Sequence, residues 1–353
     1  MADTIRIPRK TMNSFRPIAI SWQNKPSSDK FSQIHADHRQ KTMSGRYAPS
    51  PSGPLHFGNL RTALLAWLQA RLTSQPFILR IEDLDLPRTR PGSSEQLIDD
   101  LHWLGLDWDE GPDIGGHAAP YYQSQRTTLY EDAFAQLLDQ GLIYPCYCSR
   151  KDIQHAASAP HEHGLIYPGT CRDIKQRTRM EKHHPGKVAA WRYKAPVRTI
   201  EFEDRILGNI SQSLDREVGD FVIKRADGLF AYQLAVVVDD GLMAITDVVR
   251  GADLLGSTAR QIALFEALDY PIPDFWHVPL MLDDTGARLS KRDGSDSLKS
   301  WKQQEKSAED LIGHLAFSVG LIDEERAITA EELLQGLTVD LLRDRLIASS
   351  QQK

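Results

Sequence analysis

With 353 residues, 41% apolar and 25% charged, the chain has the make-up of a globular protein of one or two domains with a large core. No apolar run approaches a membrane span and the N-terminus lacks a signal-peptide core, so a cytoplasmic protein is expected. A formal charge of -6 gives no bulk electrostatic case for nucleic-acid binding, and three cysteines are too few for a disulfide framework, so they read as metal ligands or buried thiols.

Residues 1–42 mix Arg, Lys, Ser, Gln and Asn with little periodicity and read as a mobile basic extension. Two readings stay open: translation beginning at Met43, which intact mass would reveal, or a basic arm that touches RNA. The stretch from Arg46 to Asn59 is a Pro/Ser/Gly-rich turn running into an amphipathic helix with Leu60, Leu64, Leu65, Leu68 and Leu72 at helical spacing. Asn59 is the expected N-cap. Such a loop offers backbone N–H groups and the positive end of the helix dipole to a phosphate. His56 and Asn59 could donate to an anion there, and Gly58 would let it approach the backbone. The plain alternative is a capped helix after a proline turn.

Phe77 to Ile81 reads as a strand, so strand, helix and strand suggest a parallel α/β unit. Glu82 then falls beyond a strand's carboxyl end, where such sheets gather ligands, and could accept from an ammonium group. A solvated acidic turn is the alternative. Ser94 to Leu104 and Arg126 to Gln140 read as helices, stopped by Gly105 and Gly141. Cys146, Cys148 and Cys171 could close three corners of a tetrahedral zinc site. Spacing alone offers His155, His161 or His163 as the fourth ligand; inert buried thiols are the alternative.

Strand patterns return over Val188 to Ile200, Phe221 to Arg225 and Phe230 to Asp240, the last two flanking a turn at Asp227-Gly228. The run Val236-Val237-Val238 suits a strand buried on both faces. Ala244 to Val249 is a further strand, with Arg250 at its end. That guanidinium could hold a carboxylate bidentately, or merely pair with Asp247 or Asp253. Ser257 is placed to cap a helix through Leu268. Leu280 to Gly286 reads as strand and turn before the basic loop Arg288 to Arg292, suited to a triphosphate or simply solvated. Short helices are expected at Ala308–Val319, Glu331–Leu337 and Leu341–Ile347.

His56-Phe57-Gly58-Asn59 and Arg288-Leu289-Ser290-Lys291-Arg292 resemble the HIGH and KMSKS signatures of class I aminoacyl-tRNA synthetases. From about Arg46 to Arg292 the chain resembles the catalytic half of the glutamyl-tRNA synthetase family, and more closely its shortened glutamyl-queuosine branch, which lacks an anticodon-binding domain. Arg46 to Gly53, Arg80-Ile81-Glu82-Asp83, Asp227 to Asp240 and Val249 to Leu254 carry that resemblance in the right order. It implies an α/β fold: a Rossmann-like class I core with a zinc-bearing insertion and a short helical C-terminal tail. With the basic extension 1–42 set apart, the expected segments are the first half of the core at 43–144, the zinc-bearing insertion at 145–200, the second half of the core at 201–287, and the KMSKS-like loop and helical tail at 288–353.

By position, Arg46, Ala48, Ser50, Glu82, Tyr232 and Arg250 would form a glutamate pocket. His56, Gly58, Asn59 and Lys291 would handle ATP and its Mg²⁺, with His56, Asn59 and Lys291 assisting the chemistry. Cys146, Cys148, Tyr167 and Cys171 would bind one structural zinc, making 155–163 an inserted loop. The implied reaction forms glutamyl-adenylate and transfers the glutamyl group to queuosine at the wobble position of tRNA(Asp). The rivals are acylation of the 3′ end of tRNA(Glu) and an inactive RNA- or nucleotide-binding paralogue. A monomer is expected. Two signature positions depart from the family: Asn59 stands where HIGH has its second histidine, and Arg288, Leu289 and Arg292 depart from KMSKS. The basic extension has no counterpart.

Overall fold

The computed structural model describes residues 44–85, 89–156, 166–281 and 298–351, the side chains of His155 and Ala156 excepted. The strands are β1 (Ser44–Tyr47), β2 (Phe77–Leu79), β3 (Ile143–Cys146), β4 (Ala190–Tyr193), β5 (Thr199–Asp204), β6 (Gly208–Ser213), β7 (Phe221–Lys224), β8 (Ile245–Gly251) and β9 (Asp274–Val278). One sheet has the order β2-β1-β8-β9-β5-β6, parallel except for β6, which returns antiparallel to β5; a smaller antiparallel sheet has the order β3-β4-β7. The chain leaves β1 for β2 on one side, while β8 joins β1 on the other. That reversal opens a crevice at the carboxyl ends of β1 and β8, where α/β sheets bind ligands.

Helix α1 (Phe57–Leu72) links β1 to β2 and lies tight on the sheet: a Cβ at Gly45 would meet the Ala70 Cβ at 2.9 Å. The amphipathic helix expected here is instead buried nearly all round, with Leu60, Leu64, Leu65 and Leu68 at 1% exposure or less. The C-terminal tail is the reason. After α2 (Ser93–Trp103), α3 (Thr127–Asp139), α4 (Arg150–Ala156), α5 (Ile174–His183), α6 (Tyr232–Leu242) and α7 (Leu255–Ala267) come α8 (Leu298–Gln303), α9 (Ala308–Phe317), α10 (Ala330–Gln335) and α11 (Val339–Gln351). Helices α9, α10 and α11 cover the face of α1 turned from the sheet. Each buried leucine contributes roughly 2 kcal/mol, so this short tail is part of the core. Among the described residues no helix is long and apolar enough to cross a membrane.

Several local expectations change. The strand expected over Phe230 to Asp240 is helix α6 from Tyr232 onward. Leu234 to Gly241 are all buried, and a segment enclosed on every side loses the period that separates strand from helix. The turn before it is as expected, with Gly228 at φ +90° and Phe230 bridging back to Lys224. Helix α1 is capped by His56, not Asn59. Helix α7 begins two residues before Ser257, whose hydroxyl accepts from Gln233 Nε2 at 2.9 Å instead of capping. The strand described in this region is β9, Asp274–Val278; Leu280 and Met281 are outside it, and the rest of the strand and turn expected there, 282–286, lies outside the described residues. The stops at Gly105 and Gly141 do adopt positive φ, +72° and +68°.

Candidate functional site

A cavity of about 440 Å³ opens at the crevice. Of the residues singled out above, Arg46, Ala48, Ser50, His56, Gly58, Asn59, Glu82, Tyr232 and Arg250 all line it. Their chain positions explain the convergence. Arg46 and Arg250 sit near the ends of neighbouring parallel strands, Glu82 lies just past β2, and Tyr232 opens α6.

Beneath the cavity lies a buried charge network that the sequence analysis did not assign. Arg80, with no exposed surface, reaches Asp240 at 2.7 Å, Glu82 at 3.0 Å and Asp239 at 3.6 Å. Arg46 pairs with Asp240 at 3.5 Å, and its Nε makes no hydrogen bond. Asp239 also accepts from Arg126 at 2.6 Å, Gln123 at 2.8 Å and Tyr130 at 2.9 Å. Arg46, Arg80 and Arg126 therefore face Glu82, Asp239 and Asp240, and the network is neutral. Burial opposes the charge on Arg80, but Asp240, Asp239 and Glu82 outweigh it and hold the guanidinium above its usual range. Burial pushes Glu82 up from the ordinary carboxylate range, and Arg80, shared three ways, offsets that only in part. A signal was available: an arginine inside Phe77-Ile78-Leu79-Arg80-Ile81 and two aspartates closing an apolar run must be paired if buried.

Arg250 is different. Its hydrogen bonds go to Gln261 Oε1 at 2.6 Å, Thr258 Oγ1 at 2.8 Å and His277 Nε2 at 3.0 Å. Neither of the alternative pairings, with Asp247 or with Asp253, is made; Asp247 accepts from Gln75 and Trp276. Among the described residues no carboxylate comes within ion-pair distance of Arg250. Burial pulls it below its ordinary value, with Tyr232 opposing, yet a guanidinium stays charged at neutral pH. Among the described residues Arg250 thus has no ion-pair partner, although it is only 4% exposed. Burial raises Tyr232, ahead of a further push from Glu82, so it remains a phenol able to donate.

At the other end, the His56 ring accepts from Asn59 N–H at 3.4 Å through Nδ1, which leaves Nε2 as the protonated nitrogen. The Asn59 N–H is spent on this cap, so its amide side chain is what remains for a ligand. Gly58 serves the cap too, since a Cβ there would meet the His56 ring at 3.1 Å. The cavity therefore brings Glu82, Arg46, Arg250 and Tyr232 together with the N-terminus of a sixteen-residue helix, with Tyr47 and Asp253 also in its wall. It suits a zwitterion bearing a second carboxylate beside a phosphate chain. Lys291 and its loop lie outside the described residues. The described chain leaves the cavity wall at Met281 and returns at Leu298, whose N–H faces Leu55 O at 3.4 Å.

On the small sheet, Cys146, Cys148 and Cys171 place their sulfurs within 4.8 Å of one another, with Cys148 and Cys171 at 3.5 Å. The Tyr167 hydroxyl is 3.4 Å from Cys146 Sγ and 3.5 Å from Cys148 Sγ, and accepts from the Cys171 N–H at 2.8 Å. A tetrahedral ion with metal–sulfur bonds near 2.3 Å needs sulfurs about 3.8 Å apart, so the cluster fits a metal. Hydrogen bonds from Cys148 and Cys171 hold the Cys146 thiol far below its usual range. His161 and His163, and the His155 side chain, lie outside the described residues.

The sequence matches the family of class I tRNA synthetases (E and Q), catalytic domain, over residues 42–353. It is 52% identical over 295 residues to the glutamyl-Q tRNA(Asp) synthetase of Symbiobacterium thermophilum, covering 83% of this chain and 91% of that one. With the glutamyl-Q tRNA(Asp) synthetase of Deinococcus radiodurans it shares 43% over 312 residues, 86% of this chain and 99% of the other. The solved glutamate tRNA ligase of Elizabethkingia meningosepticum, in complex with its amino acid, superimposes with a TM-score of 0.72 at 29% identity over 85% of this chain. This chain spans 65% of that ligase's length.

Proposed function

The chain belongs to the catalytic-domain family of class I tRNA synthetases (E and Q), and from that premise we propose that it activates L-glutamate with ATP and transfers the glutamyl group to queuosine in tRNA(Asp). The observation that carries the reading is one cavity shared by Glu82, Arg46, Arg250 and the His56 end of α1. The names of the relatives supply the acceptor.

Glutamate's α-carboxylate attacks the α-phosphorus of ATP; the new O–P bond forms as the bond to the β-phosphate oxygen breaks and pyrophosphate leaves. The nucleophile is already ionised, so no protein base is needed. Glu82 accepts the α-ammonium. Arg250, with which no described carboxylate pairs, holds the side-chain carboxylate, because a carboxylate that must react should not be locked against the strongest cation. Arg46, already paired with Asp240, and Ser50 orient the α-carboxylate, and Tyr232 donates a hydrogen bond. His56 Nε2–H, the Asn59 amide, the α1 N-terminus and Lys291 meet the phosphates with their Mg²⁺. A hydroxyl of queuosine then takes the glutamyl carbonyl and AMP leaves. Cys146, Cys148, Tyr167 and Cys171 would hold a structural zinc remote from these steps.

Incubation with ATP, glutamate and bulk tRNA tests the acceptor. Ester on the queuosine of tRNA(Asp) is expected; ester on the 3′ end of tRNA(Glu) would overturn it in favour of a glutamate tRNA ligase. Absence of glutamate-dependent pyrophosphate exchange would instead mark a binding paralogue.

The Glu82 shift sets a pH dependence. A carboxyl raised by burial protonates at a higher pH than an ordinary one, and a protonated Glu82 no longer attracts ammonium. The KM for glutamate therefore rises as pH falls, beginning above the usual carboxylate range. Glu82→Gln raises that KM about tenfold or more at neutral pH and removes the acid limb from the profile. An unchanged acid limb in the variant would assign it elsewhere.

A further inference from the structure

The hold on Arg250 includes one bond that is conditional. Thr258 and Gln261 present oxygens, which accept whatever the pH. An imidazole nitrogen accepts only when it carries no proton. In the ladder of β8 and β9, Arg250 and His277 are partners, and Arg250 Nε–H points at His277 Nε2. On the far side of that ring, Nδ1 lies 2.5 Å from Asp204 Oδ2. Asp204 ends β5, the strand beyond β9. Three adjacent parallel strands thus contribute one side chain each to a single line, and His277 and Asp204 have side chains with no exposed surface.

We infer that Asp204 and His277 are positioning residues for Arg250: Asp204 fixes the tautomer of His277 so that its unprotonated Nε2 anchors the guanidinium facing the cavity. A carboxylate can only accept, so the imidazole proton sits on Nδ1 and Nε2 keeps its lone pair. Asp204 is itself fixed, since its Oδ1 accepts from the N–H groups of Ile206 at 3.0 Å and Leu207 at 2.9 Å in the turn to β6. Thr258 accepts from Arg250 and has its own proton to give the same Nε2, 3.2 Å away. Burial lowers His277 against the opposing pull of Asp204, and Asp204 is held as a carboxylate because the His277 bond overcomes its burial. The opposite tautomer, or an imidazolium, would aim an N–H at the N–H of a cation. With Nε–H and one hydrogen of each terminal nitrogen engaged, Arg250 keeps two N–H groups, one per terminal nitrogen, for a carboxylate.

This inference rests on Arg250 as the partner of glutamate's side-chain carboxylate, so the test carries a control for that reading. Glutamate-dependent pyrophosphate exchange is measured with the full chain, giving kcat and the KM values for glutamate and ATP. His277→Leu raises the glutamate KM about tenfold or more and leaves the ATP KM within about twofold. His277→Gln, whose Oε1 reaches the position of Nε2, restores the glutamate KM to within about threefold. Asp204→Asn raises that KM with His277 in place and adds no more than about twofold in the His277→Gln background. A wild-type glutamate KM in His277→Leu, no rescue by glutamine, or an equal cost of Asp204→Asn in both backgrounds would each overturn the inference. Should His277→Leu fail to fold, as circular dichroism would show, the Asp204→Asn comparison in the two backgrounds decides alone. If Arg250→Ala also keeps the wild-type glutamate KM, the reading of Arg250 fails first; if only the His277 and Asp204 variants do, the positioning fails by itself.

Discussion

Arg250→Ala is expected to lose glutamate activation while remaining folded. Removing most buried arginines strands a carboxylate: Arg80→Ala would leave Glu82, Asp239 and Asp240 facing one another without their common cation. Removing Arg250 strands only a hydroxyl, an amide oxygen and an imidazole nitrogen, a smaller penalty than an unpaired buried charge. Catalysis bears the cost instead. The side-chain carboxylate of glutamate would enter a buried site with no partner, a loss of about 2–5 kcal/mol, or roughly 30- to several-thousand-fold in kcat/KM. Arg250→Lys should recover only part, since a point charge cannot reproduce the fork held by Thr258, Gln261 and His277. Pyrophosphate exchange gives the rate and thermal unfolding the fold; wild-type kcat/KM in Arg250→Ala would show that its bonds serve structure alone.

The same comparison explains what could be read from the chain. The turn and helix from Pro49 to Leu72 and the strand from Phe77 were legible because the apolar spacing and the turn chemistry agree, whereas β1, which takes in Arg46 and Tyr47, was read as part of the turn. Helix α6 was not, because Leu234 to Val238 are enclosed on all sides and the β-branched run Val236-Val237-Val238 fits either element. The positions of Glu82 and Arg250 followed from one rule, that ligands meet the carboxyl ends of parallel strands. Their partners did not follow: Asp240 reaches Arg80 and Arg46 across 160 and more residues, and Asp204 reaches His277 across 73. Such long-range pairing is fixed by sheet order, which spacing does not carry. The tail's place in the core did not follow either, since only the folded α1 shows that it needs a second cover.

Loss of the metal site is the other large effect expected. Among the described residues, the cluster around it has Tyr144, Cys146, Tyr167 and Cys171 buried, with Cys148, Ile153 and Met180 partly covered. That is too little apolar surface to fix the loops and helices α4 and α5 beside the small sheet, and α5 buries no residue at all. A structural zinc would supply the missing free energy. Zinc analysis should find one ion per chain, falling toward zero in Cys148→Ser, with faster proteolysis within 147–187. The phenol is the discriminating ligand: Tyr167→Phe should weaken retention if its oxygen completes the tetrahedron and leave it unchanged if a histidine does. Arg192 favours the phenol, since its guanidinium stacks 3.8 Å from the Tyr167 ring centre, where a cation offsets the excess negative charge of three thiolates and an oxygen around a divalent ion. Undiminished zinc in Cys148→Ser would return the three cysteines to ordinary buried thiols.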